Sequence, residues 1–173
     1  MNAHKLVWFG LLLSLTVWGC GYQLAGRGAS QLPPHLRTIA IPVFENTSDE
    51  PTIQRPFTET LRRAFITDGR LRLVNNKGGS DLVMTGTLTK YYVRAVAFNQ
   101  FDVAVEYWLY LEADILVKDQ VKNTTYLKQK VKTRWDYQAD SSVITSEIAR
   151  QTALTQSYRV LSQRLVSLIN DKF

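Results

Sequence analysis

Residues 101–117 read FDVAVEYWLYLEADILV, and this stretch decides the fold. Its odd positions are apolar or aromatic, whereas its even positions include the carboxylates Asp102, Glu106, Glu112 and Asp114. An alternation with a period of two is typical of a β-strand with one buried face. A strand of this length needs strands beside it and helices over its apolar face, so the sequence predicts an α+β domain.

The segment from Asp81 to Val93 is predicted to be a neighbouring strand. Its threonines favour a strand over a helix because they are β-branched. One face would carry Leu82, Met84, Gly86 and Leu88, and the other Val83, Thr85, Thr87, Thr89 and Tyr91. The residues from Val93 to Gln100 are then expected to form a loop that leads to the central strand.

Another strand is predicted from Thr124 to Tyr137, after a polar turn. Pairing Lys118 with Thr124 fixes a register that places three pairs opposite each other: Glu112 and Lys130, Tyr110 and Lys132, Trp108 and Arg134. All of these residues would lie on the face away from Leu109, Leu111, Leu127 and Val131.

Four cationic residues of this last strand share one face, and we call them the basic ladder: Lys128, Lys130, Lys132 and Arg134. Tyr126, Trp108 and Tyr110 are expected beside them. Such a surface can hold phosphate groups by charge, with aromatic rings along sugar or acyl chains. The alternative is a solvated strand face whose lysines discourage pairing with another sheet edge.

A short strand and two amphipathic helices complete the predicted domain. The strand lies within Arg37 to Phe44, where Pro42 marks an edge or an end. The first helix runs from about Thr52 to Asp68, or starts near Pro56, and ends at Gly69. A long closing helix carries one apolar stripe, whose residues are Ile144, Ile148, Leu154, Tyr158, Leu161, Leu165, Leu168 and Ile169.

The N-terminus has the features of an export signal. Met1 to Lys5 is short and basic, and the apolar run from Leu6 to Trp18 is short for a spanning helix, although a retained anchor helix is the alternative. Gly19 and Cys20 resemble the bacterial lipobox, which implies lipidation of Cys20. We therefore expect a signal peptide over 1–19, a lipidated tether over 20–36 and a folded domain over 37–173.

Composition narrows the class of function. The 173 residues carry a formal charge of +6, which favours an anionic partner, although nucleic acid fits poorly with export. Cys20 is the only cysteine, and His4 and His35 are the only histidines. With no catalytic triad, phosphate-binding loop or metal-ligand spacing, the sequence predicts no enzyme, no catalytic residue, no metal site and no cofactor.

The order of these parts resembles the lipopolysaccharide-assembly lipoproteins of the LptE family. The similarity lies in several segments: Cys20-Gly21-Tyr22-Gln23-Leu24, Leu32-Pro33, the Thr38-to-Phe44 strand with Asn46, the helix with Thr58 and Leu61, Gly86-Thr87-Leu88, Glu106-Tyr107 and a long final helix. The resemblance implies a mixed four- to five-stranded sheet with two helices packed on one face.

The resemblance also implies a role and partners. A family member is expected at the periplasmic face of the outer membrane, lipid-anchored, as a plug inside the LptD barrel that binds lipopolysaccharide. Lys130 is the first candidate for that binding, with Lys132, Arg134 and Lys128 as neighbours. The rival interpretation is another periplasmic interaction module, similar to curli-secretion lipoproteins or penicillin-binding-protein activators.

Overall fold

The long alternating strands lie side by side in one mixed sheet. The computed structural model describes residues 32–140 and 142–170. The strands are β1 (Thr38–Ala40), β2 (Glu45–Asn46), β3 (Arg72–Val74), β4 (Leu82–Phe98), β5 (Ala104–Asp119) and β6 (Thr124–Gln138), and the helices are α1 (Gln54–Asp68) and α2 (Val143–Asn170). The expected signal peptide, Cys20 and most of the expected tether lie outside the described residues.

The sheet combines parallel and antiparallel pairs. Its strand order is β3-β1-β4-β5-β6, with β2 also paired to β4. The pairs that involve β1 or β2 are parallel, whereas β4, β5 and β6 form antiparallel hairpins. The α+β class is confirmed, and the described part of the sheet has six strands because two-residue β2 pairs with β4. Pro42 follows the end of β1, which lies inside the sheet.

The alternation in β5 separates a core face from an open face. Leu109, Leu111 and Ala113 are fully buried, and Ile115 and Val117 continue this face to the end of the strand. Both helices pack on the same side, since one core cluster joins these residues to Phe57 and Phe65 of α1 and to apolar residues of α2. The two helices on one face are thus confirmed.

Helix α1 begins and ends close to the expected positions. It starts at Gln54, which places Pro56 in the first turn, where a missing N–H donor costs least. Gly69 caps the other end with φ of 73° and donates its N–H to the carbonyl of Phe65 at 3.1 Å. Because this φ lies in the left-handed region, glycine fits here without the strain of a Cβ.

Strand β4 differs from its prediction in length and in face. It continues to Phe98, so the expected loop after Val93 is wrong. An irregularity at Thr89, between the pairs of Leu88 and Lys90, shifts the alternation by one residue. Tyr91 therefore packs against the core instead of lying on the open face, where Tyr92 lies instead.

The register of β5 and β6 differs from the prediction by two residues. The observed pairs include Asp114 with Lys130, Glu112 with Lys132 and Tyr110 with Arg134. One residue of the shift arises in the turn, because Asp119 rather than Lys118 pairs with Thr124. The other arises at a bulge that inserts Tyr126 opposite the step between Val117 and Lys118.

Tyr126 was expected beside the basic ladder, and that expectation is wrong. The bulge turns its ring to the core side, where the residue is only 7% exposed. Its hydroxyl donates a hydrogen bond to the backbone carbonyl of Ile169 at 2.9 Å. Tyr126 therefore connects the sheet to α2 and is absent from the open face.

The first turns of α2 extend past the core. Ile144 is 74% exposed and Ile148 is 61% exposed, so their expected place in the buried stripe is wrong. At this end of α2, Arg150 pairs with Glu50 at 3.0 Å and donates a hydrogen bond to the hydroxyl of Tyr91. The residue of the first turns that contacts the sheet is thus the polar Arg150, and Ile144 and Ile148 lie exposed. Neither described helix is both long enough and apolar enough to cross a bilayer.

Candidate functional site

The open face of the three long strands carries all four residues of the basic ladder. Lys128, Lys130, Lys132 and Arg134 are exposed on β6, opposite the side covered by the helices. The cross-strand pairs place polar and aromatic residues of β4 and β5 beside them, namely Thr85, Thr87, Lys90, Tyr92, Arg94, Trp108, Tyr110, Glu112 and Asp114. The alternation of residues along β6 therefore predicted the correct face for the basic ladder, although the predicted register between β5 and β6 was wrong.

Lys132 is held by a carboxylate and by two aromatic rings. Its Nζ lies 3.3 Å from Oε1 of Glu112 and donates a hydrogen bond to the hydroxyl of Tyr92 at 3.2 Å. It also lies 4.8 Å from the ring centroid of Tyr110. The hydrogen bonds to Tyr92 and Glu112 raise the pKa of Lys132 above its ordinary value. Lys132 therefore remains a cation and neutralises a carboxylate that is itself mostly buried.

Lys130 and Lys128 are less constrained. Lys130 lies 3.4 Å from Asp114, and both side chains are more than half exposed. Pairs of this kind contribute about 0–1 kcal/mol and exchange readily with other ions. Lys128 lies opposite Leu116 and forms no ion pair within the described part of the chain. Lys128 therefore has an ammonium group that is available to an anion, and Lys130 is held only by an exposed ion pair.

A groove lies on the open face beside these lysines. It has a volume of about 660 Å³, and its lining includes Lys77, Lys128 and Lys130 as well as Thr85 and Thr87. Lys77 reaches it from the 3₁₀ turn Lys77–Gly79, which precedes β4. Sequence reasoning missed Lys77 because about 50 residues separate it from the ladder and no periodic pattern includes it. Glu45 and Asp114 line the same groove, so three lysines against two carboxylates leave it cationic and able to hold a phosphate group.

The sheet beneath this groove is held in place by close packing. The ring of Phe44 lies directly against Gly86, where a Cβ atom would overlap it. Phe44 also contacts Phe57 of α1 in an edge-to-face arrangement, with ring centroids 5.2 Å apart. The segment that leads to β2 is thereby fixed between the sheet and the helix layer, which positions the rim of the groove.

Aromatic rings and arginines occupy the other half of the open face. Tyr92 and Tyr110 stack with their centroids 4.6 Å apart, and the guanidinium of Arg134 lies 4.1 Å from the ring centroid of Trp108. Arg94 pairs across the strands with Trp108. Sequence reasoning missed Tyr92 because the irregularity at Thr89 reverses the face of the residues after it, and missed Arg94 because the strand was expected to end at Val93.

His35, the only histidine among the described residues, contacts a carboxylate. Nε2 of His35 lies 2.9 Å from Oδ2 of Asp119. Burial raises the pKa of Asp119, but the hydrogen bonds from His35 and from the N–H of Lys122 outweigh it and lower that pKa. The contact ties the segment before β1 to the β5–β6 turn. No three His, Cys, Asp or Glu residues in 32–140 and 142–170 are grouped to hold a metal ion.

Solved structures of bacterial lipoproteins share this fold. Lipoprotein B from Nitrosomonas europaea is 15% identical over 82% of this chain and 85% of its own, with a TM-score of 0.58. Rare lipoprotein B from Shewanella oneidensis is 11% identical over 75% and 94%, with a TM-score of 0.55. A minor lipoprotein from Acinetobacter baumannii is 15% identical over 79% and 93%, with a TM-score of 0.54.

The family follows from the sequence rather than from these distant structures. No curated protein sequence matches the chain. The sequence model of the family described as LptE, lipopolysaccharide-assembly, matches residues 36–169. That range contains every strand of the sheet and helix α1, and it ends one residue before the end of α2. The chain therefore belongs to the LptE family of lipopolysaccharide-assembly proteins.

Proposed function

We propose that this protein is an outer-membrane lipoprotein that occupies the lumen of the LptD barrel and binds lipopolysaccharide during its insertion into the outer leaflet. Membership of the LptE family supports a role in lipopolysaccharide assembly. The proposed role is non-enzymatic. It includes cleavage after residue 19, lipidation of Cys20 and a tether over 20–36 that leads to the domain over 37–173.

The groove with three lysines carries the proposal of lipopolysaccharide binding. Lys77, Lys128 and Lys130 line the same 660 Å³ space on a face that neither described helix covers. Phosphate groups of a glycolipid pair with ammonium groups as point charges, and such contacts weaken as salt rises. Lys130 is the first candidate of the basic ladder, with Lys128 beside it, while Lys132 and Arg134 extend the cationic surface towards the aromatic rings.

The partner is tested with the full-length protein. We would isolate it in detergent from its own outer membranes and identify the co-purifying proteins by mass spectrometry. A barrel of the LptD type at a ratio near one to one is expected. A self-oligomer or a peptidoglycan synthase in place of the barrel would contradict the proposal and favour the rival class of interaction module.

Glycolipid binding is tested with paired lysine variants. The double variant Lys128→Ala, Lys130→Ala should bind lipopolysaccharide more weakly than wild type at low salt, and this difference should shrink at high salt. The matched control is Lys118→Ala with Lys122→Ala, which removes the same charge near the β5–β6 turn. Equal binding by wild type and the groove variant at low salt would contradict a role for the groove.

A further inference from the structure

Five residues lie on neighbouring strands of the open face near the β4–β5 turn, and we call them the aromatic row: Tyr92, Arg94, Trp108, Tyr110 and Arg134. Tyr92 and Arg94 come from β4, Trp108 and Tyr110 from β5, and Arg134 from β6. The lysine groove lies further along the same strands, near Asp114 and Lys128, and shares no lining residue with the row.

Four side chains of the aromatic row, those of Tyr92, Trp108, Tyr110 and Arg134, are already packed against one another. Tyr92 and Tyr110 stack with an interplanar angle of 16°, and Trp108 meets Tyr110 edge to face at 6.4 Å between centroids. Arg134 lies over the Trp108 ring. A ligand that binds here orders few additional side chains, so little conformational entropy is lost on binding.

Packing of the core does not account for this surface. The apolar faces of β4 and β5 meet the helices on the other side of the sheet, and the row takes no part in the core cluster. Tyr92 is 38% exposed, and Trp108 and Tyr110 are partly exposed. Large aromatic rings on an uncovered face that also carries arginines are typical of recognition surfaces.

The side chains around the aromatic row carry a net positive charge, which favours an anionic partner. Around the stretch of β5 from Trp108 to Glu112, the cross-strand pairs bring together four cationic and two anionic residues. The cations are Lys90, Arg94, Lys132 and Arg134, and the anions are Glu112 and Asp136. Glu112 already lies between Lys132 at 3.3 Å and Lys90 at 4.0 Å. The guanidinium of Arg94 forms no ion pair among the described residues, and that of Arg134 rests on a ring. The two arginines on either side of Trp108 therefore remain available.

We propose that the aromatic row binds the phosphorylated sugar of an anionic saccharide. Guanidinium groups form paired hydrogen bonds with phosphate oxygens, and aromatic rings pack against the C–H groups of sugar rings. An acyl chain fits poorly because Arg134 and Lys132 interrupt the apolar surface of the rings. This inference rests on the proposed binding of lipopolysaccharide and assigns its saccharide to the aromatic row.

The test uses a water-soluble probe without acyl chains. Full-length protein in detergent is titrated into a fluorescently labelled oligosaccharide, obtained from lipopolysaccharide by complete deacylation with its phosphates retained, and anisotropy is recorded. The wild type should bind this probe. Trp108→Ala and Arg94→Ala should each weaken binding about tenfold, which corresponds to the loss of one well-formed contact. Lys118→Ala on the same face is the control and should change binding less than about twofold.

Two competitors separate the sugar from its phosphate. Inorganic phosphate should compete only at far higher concentrations than the unlabelled phosphorylated oligosaccharide, and the dephosphorylated oligosaccharide should compete weakly. If inorganic phosphate competes as well as the oligosaccharide, the sugar is not recognised and the inference is overturned. Circular dichroism of each variant verifies the fold, and Arg94→Ala keeps the test decisive if Trp108→Ala unfolds.

The outcomes distinguish this inference from the proposed function. Equal binding of the probe by wild type, Trp108→Ala and Arg94→Ala would overturn the role of the aromatic row. If intact lipopolysaccharide binds but the deacylated probe does not, the row is likewise rejected while glycolipid binding stands. If neither binds, both proposals fail.

Discussion

The hydroxyl of Tyr126 donates a hydrogen bond to the carbonyl oxygen of Ile169, and this contact of 2.9 Å connects the bulge in β6 to the last turn of α2. Carbonyl groups in the last turn of a helix have no partner within the helix. The tyrosine supplies that partner in a buried position, which gives the bulge a structural role. The two-residue difference in register is therefore linked to the way the closing helix is attached.

Removal of this hydroxyl should destabilise the domain. Tyr126→Phe leaves the ring in place and deprives a buried carbonyl of its partner, so we expect the free energy of unfolding to fall by about 1–3 kcal/mol. Urea unfolding followed by circular dichroism measures this change. Tyr92→Phe, which removes a hydroxyl on the open face, is the control and should change stability less. If the two substitutions lower the free energy of unfolding equally, the buried hydrogen bond stabilises the domain no more than a hydroxyl on the open face does.

The two faces of β5 can be compared with one residue type. Leu109 is fully buried, whereas Leu116 is partly exposed on the open face. Leu109→Asp places an unpaired charge in the core, which costs several kcal/mol and should prevent folding to a soluble protein. Leu116→Asp should retain the native circular dichroism spectrum and a cooperative melting curve. Native-like melting of the Leu109 variant would contradict the assignment of faces.

Gly86 is expected to tolerate no side chain. A Cβ at this position would overlap the ring of Phe44, so Gly86→Ala must displace that ring and should cost about 1–3 kcal/mol. Gly79→Ala serves as the control, because its Cβ would meet the Asn76 side chain at an ordinary distance of 3.5 Å. Chemical denaturation of both variants gives the comparison. Similar stability of the two would mean that the ring moves aside without penalty.

Acidification should weaken the contacts at the start of α2. Hydrogen bonds from Arg150 and Gln151 lower the pKa of Glu147 from 4.5 to about 2. Because the folded state holds this proton less tightly than the unfolded state, the contribution to stability is complete above pH 4.5 and is lost as the pH falls towards 2. Glu147→Gln should therefore be less stable than wild type at about pH 6 and lose less stability on acidification. Parallel pH curves for the two proteins would contradict this assignment.

Lys132 should matter more for stability than Lys130 does. Its partner Glu112 has a side chain that is only 12% exposed, whereas Asp114, the partner of Lys130, is 53% exposed. Removing the cation beside the more buried carboxylate leaves the larger uncompensated charge. Lys132→Met should therefore lower the melting temperature more than Lys130→Met, and Glu112→Gln in the Lys132→Met background should recover part of the loss. The opposite order would indicate that Lys90 alone satisfies Glu112.

Periodicity predicted the sheet better than it predicted the pairing within it. The odd positions of β5 from Leu109 to Val117 are buried as expected because a period of two persists while a strand remains regular. Phe101 and Val103 were expected on the same buried face, and that expectation is wrong, because the strand begins at Ala104 and both residues are exposed. The extra residues at Tyr126 and Thr89 are local irregularities of the backbone, and the spacing of apolar residues in the sequence does not predict them. Each of them reverses the face of the neighbouring strand residues, and for this reason the sequence misplaced Tyr91 and Tyr126.

The sequence predicted the residues of the candidate site that lie on β6, but it predicted their neighbours on other strands less well. Lys128, Lys130, Lys132 and Arg134 share a face because they are two residues apart in a regular segment. The cross-strand partners of these residues depend on the register, and the position of Lys77 at the groove depends on the tertiary fold. Neither could be predicted from residue spacing. Ile144 and Ile148 fit a helical stripe, but at this end of α2 the contacts with Glu50 and Tyr91 are made by Arg150, which an apolar pattern does not include.

The parallel pairs of β1 impose an order on folding. Strands β4, β5 and β6 are consecutive and joined by short turns, so their hairpins close small loops and form early. By contrast, Thr38 pairs with Arg72 and Ile39 pairs with Leu82, which requires much longer loops to close. A chain that emerges N-terminus first therefore leaves β1 unpaired until β3 is available, and leaves its other edge unpaired until β4 has formed. That interval is the stage at which the nascent domain is most exposed to aggregation.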